Sequence, residues 1–132
     1  MITTIHLVKL SVGTSNIGDL QKWQSTKAAQ GKDGLPRHVT RMWPKREKEL
    51  LAGGSIYWVI KGVIQCRQKI IRFDEVVGKD SVRRCAIVLE PKYTRTSPVL
   101  KRPFQGWRYL KMDKAPPDLG LHRKSDDELP PE

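Results

Sequence analysis

Two short segments hold most of the residues that could do chemistry in this chain. The first, RHVTRMWPKR at residues 37–46, sets Arg37, Arg41, Lys45 and Arg46, with Lys48 just behind, around Trp43. Basic groups contact phosphates, a helix N-terminus offers free N–H groups to an anion, and an adjacent aromatic ring can stack on a base. His38 lies inside the same run. The same pattern also fits Met42 and Trp43 buried in a core, with the bases as a solvated face. The second segment, KRPFQGWRYLK at residues 101–111, alternates Phe104, Trp107 and Tyr109 with Arg102, Gln105 and Arg108. Basic–aromatic interleaving of this kind is expected of a nucleic-acid surface, although a half-buried closing strand alternates in the same way. A third set, Lys61, Gln65, Arg67 and Lys69 with Arg83 opposite, could track phosphates along one strand face or be an ordinary exposed sheet face.

Charge favours the anionic partner. The chain has 132 residues with 25 Lys plus Arg against 14 Asp plus Glu, a net +11. From residue 112 onward there are three bases and six acids, so residues 1–111 carry 22 bases, eight acids and a net +14. Such an excess repels itself and costs stability, which points to a polyanion as partner.

An enzyme is harder to assemble. His6, His38 and His122 are far apart and in no metal-ligand spacing, so no metal is expected. There is no GxSxG, P-loop, GxGxxG or HExxH, and no cofactor is expected. Asp74 and Glu75 are adjacent and would point to opposite faces of a strand. A site assembled in space from His38, Asp74 and an arginine stays open. Cys66 and Cys85 form no CxxC and read as small core hydrophobes, so a reducing cytoplasm is the default. No apolar run reaches the roughly 18 residues of a membrane span, and Lys9 interrupts the N-terminal apolar stretch as it would not in a signal peptide.

The elements that must position these groups follow from periodicity. Residues 2–12 alternate as a strand. Ser15 or Asn16 caps a helix with Asp19 in its first turn and Ile17, Leu20, Trp23 and Ala28 on one apolar face. A short strand over residues 38–42 leads to a second helix from Pro44 to Leu51, closed by Gly53 and Gly54. Strands are expected over 55–61, 63–73 and 82–90, the last two as a hairpin with both cysteines buried, and a final extended segment covers 104–110. The last residues hold four prolines and many acids, and read as a disordered tail that could fold back on the basic body.

RHVTRMWPKR, GGSIYWVIKGVIQCRQKI, RRCAIVLEP and RPFQGWRYLK together resemble a bacterial family, alphaproteobacterial in type, numbered fourteen-eighty-nine among domains of unknown function; the resemblance covers most of residues 3–112. The order of elements is also similar to the PUA-like superfamily, whose EVE, ASCH and YTH branches share a small β-barrel with helices. That resemblance implies binding of RNA, or of a modified base in an aromatic-lined pocket. It nominates Trp43, Trp58 and Trp107 beside Arg41 and Lys61.

The expectation is therefore an α+β domain over residues 1–111, a small mixed or antiparallel, PUA-like β-barrel or strongly curved sheet flanked by short helices, with a flexible acidic tail over 112–132. It should bind nucleic acid, RNA rather than DNA, in a basic aromatic-lined cleft built from Arg37, His38, Arg41, Trp43, Lys45, Arg46, Lys61, Arg67, Arg102, Trp107 and Arg108. The alternatives are an enzyme acting on a nucleotide or modified base in the same cleft, and a protein-interaction module of the ribosome or another ribonucleoprotein.

Overall fold

Strand β1, Ile5–Leu10, is followed by helix α1, Ile17–Gln24, strand β2, Arg37–Thr40, and helix α2, Glu47–Leu51. Strands β3 (Ser55–Ile60), β4 (Val63–Val77), β5 (Arg83–Leu89), β6 (Thr94–Leu100) and β7 (Trp107–Lys111) complete the chain as far as the computed structural model describes it, residues 3–119.

The chain forms one mixed sheet of seven strands in the order β2-β5-β4-β3-β1-β7, with β6 also on β4. β1 runs parallel to β3 and antiparallel to β7, and every other pairing is antiparallel. The 15-residue β4 is the organising strand. Its first half pairs with β3 on one edge and with β6 on the other, and its second half pairs with β5. At the join between β5 and β6 the Glu90 N–H still donates to the Lys69 carbonyl at 3.0 Å. Register shifts at Trp58/Val59, Ile64/Cys66 and Ile70/Arg72 bend the ladders, as extra residues in one strand do.

Bending gives each face its own core. Ile5, Leu7, Ile56, Trp58, Cys66, Ile87 and Trp107 fill one face with Leu20 of α1 and Leu50 of α2. Val8, Tyr57, Val59, Ile64 and Leu110 form a smaller cluster on the other, covered by Phe104 and Ala115. Both cysteines are buried and unpaired, as expected of the hairpin face. Burial pushes the Cys66 thiol up to about 12 and the Cys85 thiol up to about 11, so neither is a ready nucleophile.

The expected barrel is not closed by a backbone ladder, since β2 and β7 end the strand order without pairing. Side chains span the gap instead: Trp107 Nε1 donates to the Met42 carbonyl at 2.9 Å, and the Tyr109 hydroxyl accepts the N–H of Lys45 at 2.8 Å. The second helix accordingly begins at Glu47 and not at Pro44, because the Lys45 and Arg46 N–H groups are turned toward that hydroxyl. Gly53, at φ +92, then ends α2, and a Cβ on Gly54 would overlap the carbonyl oxygens of Ile5 and Leu50.

The segment after β7 departs from the sequence expectation. A single 3-10 turn, Met112–Lys114, leads to Pro117, whose carbonyl accepts the Ser97 N–H at 2.9 Å, and Asp118 bridges to Thr96. Prolines 116 and 117 need no ladder donors, so they can lie along the free edge of β6. The remainder of the expected tail, residues 120–132, lies outside the described residues. No described helix is long and apolar enough to cross a membrane.

Candidate functional site

Where β1 ends, the chain turns through Ser11–Thr14 and enters α1, leaving a cleft of about 500 Å³ between that turn, α1 and the start of β2. Its walls include Lys9, Trp23, Gln24, Arg37, His38 and Trp58. Each arrives there through local rules. Lys9 shares the inner face of β1 with Ile5 and Leu7, and its register partners are Trp58 on β3 and Trp107 on β7. His38 stands opposite Ile87 on β5 and therefore also points inward, where its ring meets Trp58 edge-on at 5.8 Å.

The helix supplies the rim. Asn16 Oδ1 accepts the Asp19 N–H at 2.8 Å while the Asp19 carboxylate accepts the Ser15 N–H at 2.9 Å, a reciprocal cap that fixes where α1 starts. Leu20 and Gln24 then face the sheet, and Trp23 falls off that stripe with 54% of its surface exposed. Trp23 was expected on the apolar face; the helix turns Gln24 inward in its place. A buried polar network explains that choice. Gln24 Nε2 donates to Gln68 Oε1 at 2.9 Å, and Gln68 Nε2 donates to Gln24 Oε1 at 2.7 Å. Trp58 Nε1 donates to the same Gln68 oxygen at 2.8 Å, and Tyr93 donates its hydroxyl proton to Gln24.

Burial, and then the charge of Lys9, hold the His38 imidazole down at about 4, so it is neutral at physiological pH. A neutral imidazole offers one donor and one acceptor nitrogen. Burial likewise pushes the Lys9 ammonium below its ordinary value. The Arg37 guanidinium points to the other side of β2 from His38, where Asp33 at 2.9 Å and Asp74 at 3.6 Å hold it. The cleft thus combines a half-exposed indole, an indole floor, a neutral imidazole and the Lys9 ammonium. Its shape suits a flat, partly polar ring carrying or neighbouring negative charge.

Of the residues expected to bind, only Arg37 and His38 line this cleft; Trp58, nominated by resemblance, lines it too. Trp43, expected as the stacking residue, packs against the main core, and the Arg83 guanidinium covers its ring at 4.2 Å. Trp107 is 6% exposed and holds the Met42 carbonyl. Arg46 pairs with Glu49 at 2.5 Å, and Lys45 and Arg41 are exposed nearby. The strand-face stripe does not form. The Arg67 guanidinium is held by Asp118 at 2.7 Å and by Ser55 Oγ at 2.9 Å, and Arg83 pairs with Glu75 at the far end of β4. Lys61 and Arg102 are exposed at the end of the sheet beside the cleft, and Arg108 is exposed near the same end on the face that carries Phe104.

Lys9 and Trp23 are the site residues that sequence reasoning missed. The signal for Lys9 was present: it occupies the inward register of an otherwise apolar strand. No group of three His, Cys, Asp or Glu side chains among the described residues could hold a metal ion.

No curated protein and no solved structure matches the chain. The family model described as protein of unknown function DUF1489 matches residues 7–132, and the chain belongs to that family.

Proposed function

We propose that this protein binds single-stranded nucleic acid, RNA in preference to DNA, and seats one base in the cleft between α1 and the ends of β1 and β2. The observation that carries this reading is the set of groups in that cleft: Trp23 at the rim and Trp58 at the floor, with neutral His38 and Lys9 beside them. Aromatic stacking of a splayed-out base is worth about 1–3 kcal/mol and belongs to single strands, whose bases are free to leave the stack. The neutral imidazole can hydrogen-bond a base edge, and the Lys9 ammonium can take the adjoining phosphate. In this reading the curved sheet is a PUA-like barrel left open along the seam between β2 and β7.

Titrating labelled oligonucleotides of RNA and DNA, single-stranded and duplex, tests the proposal. Trp23→Ala is expected to weaken single-strand binding about 10-fold or more, from the loss of one stacking platform, and to affect duplex less. Log affinity is expected to fall linearly with log salt concentration. Affinity indifferent to both changes overturns the reading.

A second reading, an enzyme acting on a nucleotide in the same cleft, has one observation in its favour: His38 and the Asp19 carboxylate both line it. An imidazole held near 4 is a weak base at neutral pH, and Asp19 is occupied in capping α1. Hydrogen bonding to a base is the role that better fits His38.

A further inference from the structure

The charges of this protein are segregated along the chain and in space. Residues 50–73 and 91–112 contain ten bases and no acid. The acids Asp33, Asp74, Glu75 and Asp80 neutralise Arg37, Arg72, Arg83 and Arg84 around the outer halves of β4 and β5. The opposite end of the sheet, where β1 and β3 finish and β4 begins, has no such ion pairs among the described residues. There Lys61 forms the tip of the β3–β4 hairpin, and the Lys101 N–H donates to the Gly62 carbonyl at 2.8 Å, which sets Lys101 and Arg102 beside it. Arg108 follows on β7, its guanidinium 5.0 Å over the Phe104 ring. None of these four cations forms an ion pair among the described residues.

Two details give this end a direction and a reason. The Ser11 N–H donates to the Val59 carbonyl at 2.8 Å, so the Ser11–Thr14 turn that walls the cleft is tied to β3, the strand that leads into Lys61. Lys61 itself has φ +51 and Gly62 φ +79, a two-residue turn with both residues left-handed. Asn-Gly is the ordinary sequence for that turn, and lysine there is strained. A lysine kept at a strained tip, beside three unpaired cations, points to a ligand for its charge.

We infer that this end is the path of the phosphodiester backbone: a single strand whose base fills the cleft runs over the Ser11–Thr14 turn onto Lys61, Lys101, Arg102 and Arg108. The inference rests on the cleft reading above and adds the partner's length and course. A single base with its phosphate fills the cleft, whereas the four further cations require a strand several nucleotides long.

The test compares 5′-labelled ten-nucleotide oligouridylate and oligoadenylate with the nucleoside 5′-monophosphates UMP and AMP, the latter read by tryptophan quenching. The variants are Lys61→Asn alone and the quadruple Lys61→Asn, Lys101→Gln, Arg102→Gln, Arg108→Gln. Lys61→Asn puts the turn's preferred residue at the tip, so it removes charge while favouring the fold. Four lost phosphate contacts are expected to lower the slope of log affinity against log salt by about 3, and the single variant by about 0.7. Monophosphate quenching is expected to be unchanged in both. An oligonucleotide bound with an unaltered slope overturns the path and leaves the cleft standing. So does wild-type protein that is quenched by a monophosphate and ignores the oligonucleotides. Absence of both signals overturns the cleft reading with it. Polyglutamate of matched charge binding as tightly as the oligonucleotides assigns the surface to an acidic polypeptide and overturns the proposal.

Discussion

Gln24 and Gln68 exchange both of their amide hydrogen bonds, at 2.9 and 2.7 Å, across the contact between α1 and β4. Both side chains are buried, and Gln68 also fixes the Trp58 indole and donates to the Glu90 carbonyl at 2.9 Å. The pair therefore sets the distance between the helix that bears Trp23 and the strand that bears Trp58. Cutting one side strands the other in a dry site. Gln68→Leu is expected to destabilise the protein by about 2–3 kcal/mol, the cost of unpaired buried polar groups. Adding Gln24→Leu should cost less than the sum of the two, because each removes the partner that the other leaves orphaned. Urea denaturation of the cycle of four proteins measures both, and strict additivity contradicts the network.

His38 makes stability depend on pH in a stated direction. Its folded value is held at about 4, against 6.5 when unperturbed, so between these values the unfolded chain binds more protons. Stability must then rise with pH through that window, and be lowest at its acid end by about 3 kcal/mol if the whole shift is realised. His6, which accepts the Ser55 N–H at 3.0 Å, is also pushed down by burial and Arg67 and acts in the same sense. His38→Asn should flatten the denaturation midpoint between about pH 4 and 6.5, leaving the smaller His6 slope. A slope unchanged by the substitution places the titration elsewhere.

Much of the scaffold was legible because burial imposes simple periods. β3, β4 and β5 are dense in β-branched residues, and Ile87 and Cys85 alternate as an inward face must. β6 was not legible. Thr94, Arg95, Thr96, Ser97 and Pro98 show no apolar alternation, since one edge of this strand is only a partial ladder with the Pro117–Asp118 segment. The site was harder still. Trp43 and Trp107 look like ligand-binding aromatics because bases surround them, yet one is covered by Arg83 and the other is spent closing the seam with Met42. Trp23 looks like core because it lies three residues from Leu20 on a helix. Which of two adjacent residues turns inward depended on a hydrogen bond between Gln24 and Gln68, 44 residues apart, that no local period encodes.

Because Trp23 is spared from the core, its removal should separate binding from folding. Trp23→Ala is expected to change stability by no more than about 0.5 kcal/mol, as surface substitutions do. Trp58→Ala, by contrast, removes a 4%-exposed indole and one of the two hydrogen bonds that Gln68 Oε1 accepts, and should cost about 3–5 kcal/mol. Thermal melts of the two variants decide this, and comparable losses in both mean that Trp23 packs as core.

Gly54 tests the close approach that lets α2 dock on β1. A Cβ there overlaps the carbonyl oxygens of Ile5 and Leu50, both backbone atoms that cannot rotate away, while Leu50 itself is fully buried. Gly54→Ala should therefore destabilise well beyond the usual surface change, by about 2 kcal/mol or more, although alanine is the smallest addition possible. Gly53→Ala, whose Cβ would meet only Thr4 Oγ1 at 3.9 Å but at φ +92, should cost less, about 1 kcal/mol from left-handed strain alone. Chemical denaturation of the pair gives the order. If Gly53→Ala proves the more damaging, steric contact with β1 is not what Gly54 provides.

The contact of Arg67 with Asp118 gives the last prediction, for the segment that follows β7. Arg67 binds Asp118 with two guanidinium nitrogens at 2.7 Å while a third reaches Ser55 Oγ, and both partners are mostly shielded from water. The guanidinium holds the Asp118 carboxyl below its ordinary 3.8. A depressed acid stabilises the fold above its unfolded value and loses that contribution as pH falls through the folded one. Asp118→Asn is thus expected to weaken the protein at neutral pH and to match wild type at strongly acid pH. A double-mutant cycle with Arg67→Gln should return a coupling of about 1 kcal/mol, the upper range for a pair near the surface.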